Sequence, residues 1–218
     1  MELGTLAAIA RYPVKSLKGE ALEEAAVVHT GLDGDRVRAM IVRDGHARTG
    51  KTYRGKEDNR LHLIDEPEAA RNAAAGRGVD VEVHAGERYY DAGDVSIVLD
   101  CWIAEVEAAL GKSLEPLRWR PNFYLRAQSK IAEADLTGMY VAVGDAVLHV
   151  LRPIHRCVTP TYDIVTGESD PAIQRFVAQE RDNTMGVYCE VVRTGAVRKG
   201  EIASISRASG DLRPLAPA

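Results

Sequence analysis

The sequence predicts a mainly β protein of the α+β class, arranged as two β-rich parts with a few short helices. Three observations carry this expectation. Short runs of β-branched or alternating apolar residues recur along the chain, Gly-acid steps lead into three of them, and only two or three segments have helical spacing. At 218 residues and 45% hydrophobic, the chain can bury a substantial core, in one compact unit or two small interlocked ones.

The strand candidates are Leu22 to Val28, Arg36 to Arg43, Val79 to His84, Val95 to Leu99, Phe123 to Arg126, Ala146 to Val150 and Val187 to Val192. Asp44-Gly45 is expected to form a two-residue hairpin turn, because both residues tolerate positive φ. The segments AGDVSIVLD, VGDAVLHVL and KGEIASIS each place a turn before a strand, too irregularly for a repeat array, and favour a barrel or curved sheets. Among helices, Asp100 is predicted to cap Cys101 to Leu110, with Ile103, Val106 and Leu110 on one face and Gly111 as the stop. Asp170 to Glu180 has Asp170 as its cap and Pro171 at the first helical position, and Pro67 to Ala75 is a weaker helix. A boundary near Gly93 to Asp100 divides an N-terminal β-domain (1–94) from a C-terminal β-barrel (95–207). Residues 208–218 lack periodicity and read as a flexible tail.

Composition excludes several classes of function. The formal charge of -4, from 28 basic and 32 acidic side chains, does not support a general nucleic-acid surface, so any anion site must be local. No run approaches the roughly 18 apolar residues that span a bilayer. The N-terminus lacks the basic and apolar blocks of a signal peptide. The expectation is a cytoplasmic protein without membrane or nucleic-acid partners. Cys101, Cys157 and Cys189 form an odd set with no CxxC, which argues against a disulfide framework and against a zinc or iron–sulfur site made by protein alone.

Cys157, in LRPIHRCVTPTYDIVTGE, is the cysteine with the most suggestive surroundings. Arg156 and His155 supply cationic neighbours that favour thiolate, the form that attacks electrophiles or ligates soft metals. Taken alone, an isolated cysteine beside a strand is more often a small buried side chain. Here the strand is followed by the Thr, Pro, Asp and Gly of a shaped loop, so Cys157 is expected at a strand end, with Thr161, Asp163, Thr166 and Gly167 in reach. Cys101 and Cys189 read as core thiols. His29, His46, His62, His84 and His149 lack metal-ligand spacing and read as structural or exposed, and Gly50 to Lys56 lacks the spacing of a phosphate-binding loop.

These residues resemble the Arg-Cys motif of MOSC-family proteins: Arg156-Cys157, then Thr161, Asp163 and Thr166-Gly167. Three further blocks resemble the same family in the same order, namely Arg11 to Glu20, Gly31 to Val42, and the Arg-Pro-Asn strand in Arg118 to Ala127. The resemblance implies a MOSC-type N-terminal β-domain packed on a MOSC β-barrel, most like the short bacterial relatives of the mitochondrial amidoxime-reducing component. It implies a molybdenum cofactor (molybdopterin), with Cys157 on the metal and Lys15, Ser16, Arg36, Arg120, Asn122, Arg156 and Thr161 as cofactor contacts. Chemically, a confined group of cations suits a phosphorylated pterin on a mildly acidic protein. Asn122 either reaches the pterin or pins the turn after Pro121, and His155 either tunes the thiolate or packs under the Arg152-Pro153 bend.

Two departures from the family pattern stand out. Pro160 replaces a residue whose N–H would otherwise be free to donate, and Ile154-His155 precede the Arg-Cys pair where Cys or Ala is common. The implied activity is two-electron reduction of N-hydroxylated or N-oxide small molecules, with Asp163 or His155 relaying protons. Three dispersed cysteines cannot hold an iron–sulfur cluster, so a separate flavin or iron–sulfur protein is expected to donate electrons. Alternatives are a sulfur carrier using a Cys157 persulfide, and a carrier of the cofactor without turnover.

Overall fold

The protein is described by a computed structural model covering residues 1–55, 58–86, 88–89, 92–208 and 210. Most of the expected tail, and Lys56 of the Gly50 to Lys56 segment, lie outside the described residues.

A closed ring of seven strands forms the larger part. It contains β1 (Glu2–Arg11), β7 (Val95–Leu99), β8 (Phe123–Ala127), β9 (Tyr140–Val143), β10 (Ala146–His155), β11 (Thr184–Arg193) and β13 (Ile202–Ser206). Their order is β13-β9-β10-β11-β7-β8-β1, and a β1–β13 pairing shuts the ring. Neighbours are antiparallel except β7 and β8, which run parallel and are therefore joined by a crossover. That crossover carries α2 (Asp100–Leu110), while β2 (Glu20–Leu22) adds to the outer half of β1.

The chain leaves the ring after β1 and returns at β7. Between them β3 (Glu24–Val28) and β4 (Gly31–Leu32) pair, joined by the later β12 (Gly195–Arg198). A further pair, β5 (Arg38–Gly45) and β6 (Val79–Ala85), packs on α1 (Pro67–Gly76). The ring thus draws strands from both sides of residue 94. Two main cores follow from this path. One fills the barrel, with Leu6, Ile97, Trp102, Phe123, Leu148 and Val187 among its fully covered side chains, and the other gathers Leu17, Met40, Tyr53, Leu61 and Val79 under β5 and β6.

Local chemistry accounts for the remaining helices. In α4 (Pro171–Glu180), the Asp170 carboxylate accepts from Ala172 N at 2.9 Å, the cap expected from sequence. Gly111 ends α2 in the left-handed region at φ 65°, where a side chain is disfavoured. Asp100 does not act as the α2 cap. The helix springs directly from β7, so Asp100 is its first residue, and the carboxylate accepts from Ala127 N of β8 at 2.8 Å. The Asp44-Gly45 hairpin is also not formed: β5 runs on through both residues, opposite Asp80 and Val79, and the chain turns only beyond them. A short α3 (Glu133–Leu136) lies against β10 and β11, where Glu133 pairs with the half-buried Arg181.

Candidate functional site

A cleft of about 660 Å³ opens between the barrel and the smaller core. Its walls combine residues from distant parts of the chain: Lys15, Ser16 and Arg36; Asn59 and His62; Arg118, Trp119 and Arg120; and His155, Arg156 and Cys157.

On the barrel side, β10 delivers the Arg156-Cys157 pair. Beyond His155 the backbone is clamped in both directions by Asn183: Arg156 N donates to Asn183 O at 2.9 Å, and Asn183 Nδ2 donates to Arg156 O at 3.0 Å. The guanidinium turns inward, where Nε donates to Met185 O at 2.6 Å and Nη1 to Trp119 O at 2.8 Å. Gly186, at φ 90°, leaves room for it, since a Cβ there would lie 3.0 Å from Arg156 Nη2 and 2.7 Å from Ile97 O. Burial lowers the Arg156 pKa to about 10, still charged at neutral pH. With Arg156 drawn in, the next side chain faces out: Cys157 is the one exposed cysteine of the three, and its thiol donates to Thr159 Oγ1 at 3.2 Å. Cys189 is fully buried, which raises its thiol pKa strongly, and partial burial raises that of Cys101.

The facing wall is organised by Tyr12, just past β1. Its backbone N donates to Asp35 Oδ1 at 2.7 Å and its hydroxyl to Pro121 O at 3.0 Å. The guanidinium carbons of Arg36 and Arg120 stand 5.0 and 4.2 Å from its ring centroid, within cation–π range. Asp35 also pairs with Arg36. Burial pushes the Tyr12 pKa up to about 12, so the phenol remains a donor.

Two further observations mark this cleft. Ser16, Arg36 and Arg120 adopt positive φ (75°, 48° and 54°), three of the five described non-glycine residues that do so. Such a conformation costs about 1 kcal/mol or more per residue. Second, several buried polar atoms of lining residues have no partner: Arg118 Nε, Trp119 Nε1, Arg156 Nη2 and His62 Nε2. Arg118 Nε, Trp119 Nε1 and Arg156 Nη2 can only donate, and buried donors without acceptors are rare.

The residues expected from sequence divide into two groups. Lys15, Ser16, Arg36, Arg120, His155, Arg156 and Cys157 line the cleft. Asn122, Thr161 and Asp163 do not: the first two hold the walls, and Asp163 is engaged in its own turn. Asn122, 1% exposed, accepts from Ser96 N and Ser96 Oγ at 3.0 Å and donates to Ala10 O at 3.2 Å, tying β7 and β8 to β1. Thr161 is fully buried, its hydroxyl donating to Val158 O at 2.7 Å. Asp163 Oδ1 accepts from Val165 N and Thr166 N, both at 2.9 Å, and these bonds hold its pKa below the usual range. Pro160 is the middle residue of the short 3-10 turn Thr159–Thr161 and itself lines the cleft.

Sequence reasoning missed Arg118, Trp119 and His62, which are 4%, 1% and 6% exposed. Arg118 and Trp119 adjoin Arg120 in the same RWRPN block, a signal that was present. His62 gave none, because it stands alone after a turn.

Fold and cleft together define a closed β-barrel protein with a cation-lined site opening beside one thiol. The MOSC domain family model matches residues 82–203, and the MOSC N-terminal beta barrel domain matches residues 3–74. The chain belongs to the MOSC family. No curated sequence matches it. Among solved structures, the YuaD protein from Bacillus subtilis is similar over 93% of this chain and 94% of its own, at 15% identity and a TM-score of 0.58, a likeness of fold. YiiM from Escherichia coli is similar over 96% of this chain and 72% of its own, at 12% identity and a TM-score of 0.49.

Proposed function

We propose that the cleft holds a molybdenum cofactor, with the Cys157 thiolate as a metal ligand, and that the protein reduces N-hydroxylated or N-oxide small molecules by two electrons. The observation that carries this reading is the placement of the one exposed thiol in a cleft whose buried donors, Arg118 Nε, Trp119 Nε1 and Arg156 Nη2, lack acceptors within the protein. A phosphorylated pterin brings those acceptors, and a soft metal suits the thiolate. Among the described residues no three His, Cys, Asp or Glu side chains converge, so a metal here would take Cys157 plus ligands brought with the cofactor.

Lys15, Ser16, Arg36 and Arg120 would bind the anionic part, and Arg118, Trp119 and Arg156 would orient what lies nearer the thiol. The bound metal would supply the two-electron oxygen-atom chemistry. His155 is exposed at the cleft beside Cys157 and would carry protons between substrate and solvent. Asp163, engaged in its own turn and outside the lining, is left out of that role. Electrons would come from a separate flavin or iron–sulfur protein.

Elemental analysis of protein from a cofactor-competent host tests the reading. Stoichiometric molybdenum that is lost in Cys157→Ser, with reduction of an N-hydroxylated compound by the loaded wild type, is the expected result. Metal-free protein with cyanide-labile sulfur on Cys157 would replace it with sulfur carriage, and molybdenum without turnover with a carrier role.

A further inference from the structure

Among the described residues, His62 is the one unpartnered buried group lining the cleft that is not compelled to donate. It sits in the 3-10 turn Leu61–Leu63, 6% exposed, with its ring edge-on to Tyr162 at 5.8 Å between centroids. Nε2 has no partner within the protein, and Arg118 and Arg120 line the same cleft, so the tautomer with its proton on Nδ1, which presents a lone pair and not an N–H toward those cations, is favoured. Burial and the nearby Arg120 and Arg118 bring the His62 pKa to about 4, which keeps the ring neutral.

We infer that His62 Nε2 accepts a hydrogen bond from a ligand N–H, so that its part of the cleft receives a neutral nitrogen heterocycle and not a second anion. A lone pair repels an oxyanion, whereas the neighbouring guanidiniums only donate. This placement separates the cleft into cationic positions for negative charge and one acceptor position that discriminates donor-bearing rings. It rests on the cofactor reading in one respect, by assigning the pterin-type ring to the His62 end.

The test uses the cofactor-free full chain with two probes, pterin and inorganic phosphate. His62→Leu should bind pterin about tenfold more weakly, the effect of losing one buried hydrogen bond. His62→Gln, which keeps an acceptor, should stay close to wild type, and phosphate affinity should change in neither. In wild type, the 15N resonance of Nε2 should be that of an unprotonated nitrogen and should move on adding pterin but not phosphate. Equal pterin affinity in His62→Leu, or a protonated Nε2 in the free protein, overturns the inference. Molybdenum content is read separately: stoichiometric metal together with His62-independent pterin binding would sink this assignment and leave the cofactor reading standing. His62-dependent pterin binding in a chain that never acquires molybdenum would do the reverse.

Discussion

The guanidinium carbon of Arg120 stands 4.2 Å from the ring centroid of Tyr12, joining the strand-end turn after β1 to the segment that enters β8. The same ring carries Arg36, so two cations of the cleft share one buried aromatic support. Removing only the hydroxyl in Tyr12→Phe deletes the bond to Pro121 O and is expected to cost about 1 kcal/mol. Tyr12→Ala opens a cavity and should cost about 3 kcal/mol or more. Urea unfolding of the two variants measures both, and near-equal values would show that the ring is not a packing element.

Arg120 itself occupies the left-handed region. Glycine adopts that conformation freely and alanine does not, so Arg120→Gly should be more stable than Arg120→Ala by about 1 kcal/mol, the reverse of the order on a regular strand. Matched denaturation curves decide it.

The thiols differ sharply in exposure. In native protein a maleimide reagent should modify Cys157 rapidly, Cys101 slowly and Cys189 only after unfolding, with the fast phase absent from Cys157→Ser. Intact-mass spectrometry over time follows each addition. Rapid labelling of Cys189 would contradict the barrel core.

His62 links stability to pH. Its folded pKa, near 4, lies below the ordinary imidazole value, so between these values the unfolded chain takes up a proton that the native protein refuses. Stability is therefore retained above pH ~6.5 and falls as pH drops toward 4, by up to about 3 kcal/mol, with no further loss from this group below that. His62→Gln should lack this component when the unfolding free energies of the two proteins are compared across the pH series.

Arg181 bridges Glu105 and Glu133, and the pair with Glu133 is only 9% exposed on either side, at 2.5 Å. Glu133 also accepts from Gly186 N at 3.3 Å, beneath the Arg156 guanidinium. Arg181→Met strands a buried carboxylate and should cost about 3 kcal/mol or more, visible as a lowered Tm.

The parts of the molecule legible in the sequence were those set by local chemistry. Asp170-Pro171 starts α4, Gly111 ends α2, and the Gly-acid steps precede β7, β10 and β13, each from residues adjacent in the chain. β1 was not among the expected strands. Its run of alanines has weak β preference, and the strand exists because β8, β13 and β2 all pair with it. Asp44-Gly45 had good turn chemistry but was overruled by pairing with Asp80 and Val79. The site followed the same division. Arg156-Cys157 was visible as a linear pair, whereas Asn183, which clamps it, and Tyr12, which carries two arginines, act through contacts that spacing does not reveal.

Because the ring is shut by strands from opposite ends of the described chain, its last joint pairs Glu2 with Ser204. A nascent polypeptide cannot seal the barrel until β13 has been released to pair with β1. A chain that lacks β13 should therefore leave the ring open and expose the β1 and β9 edges that β13 covers.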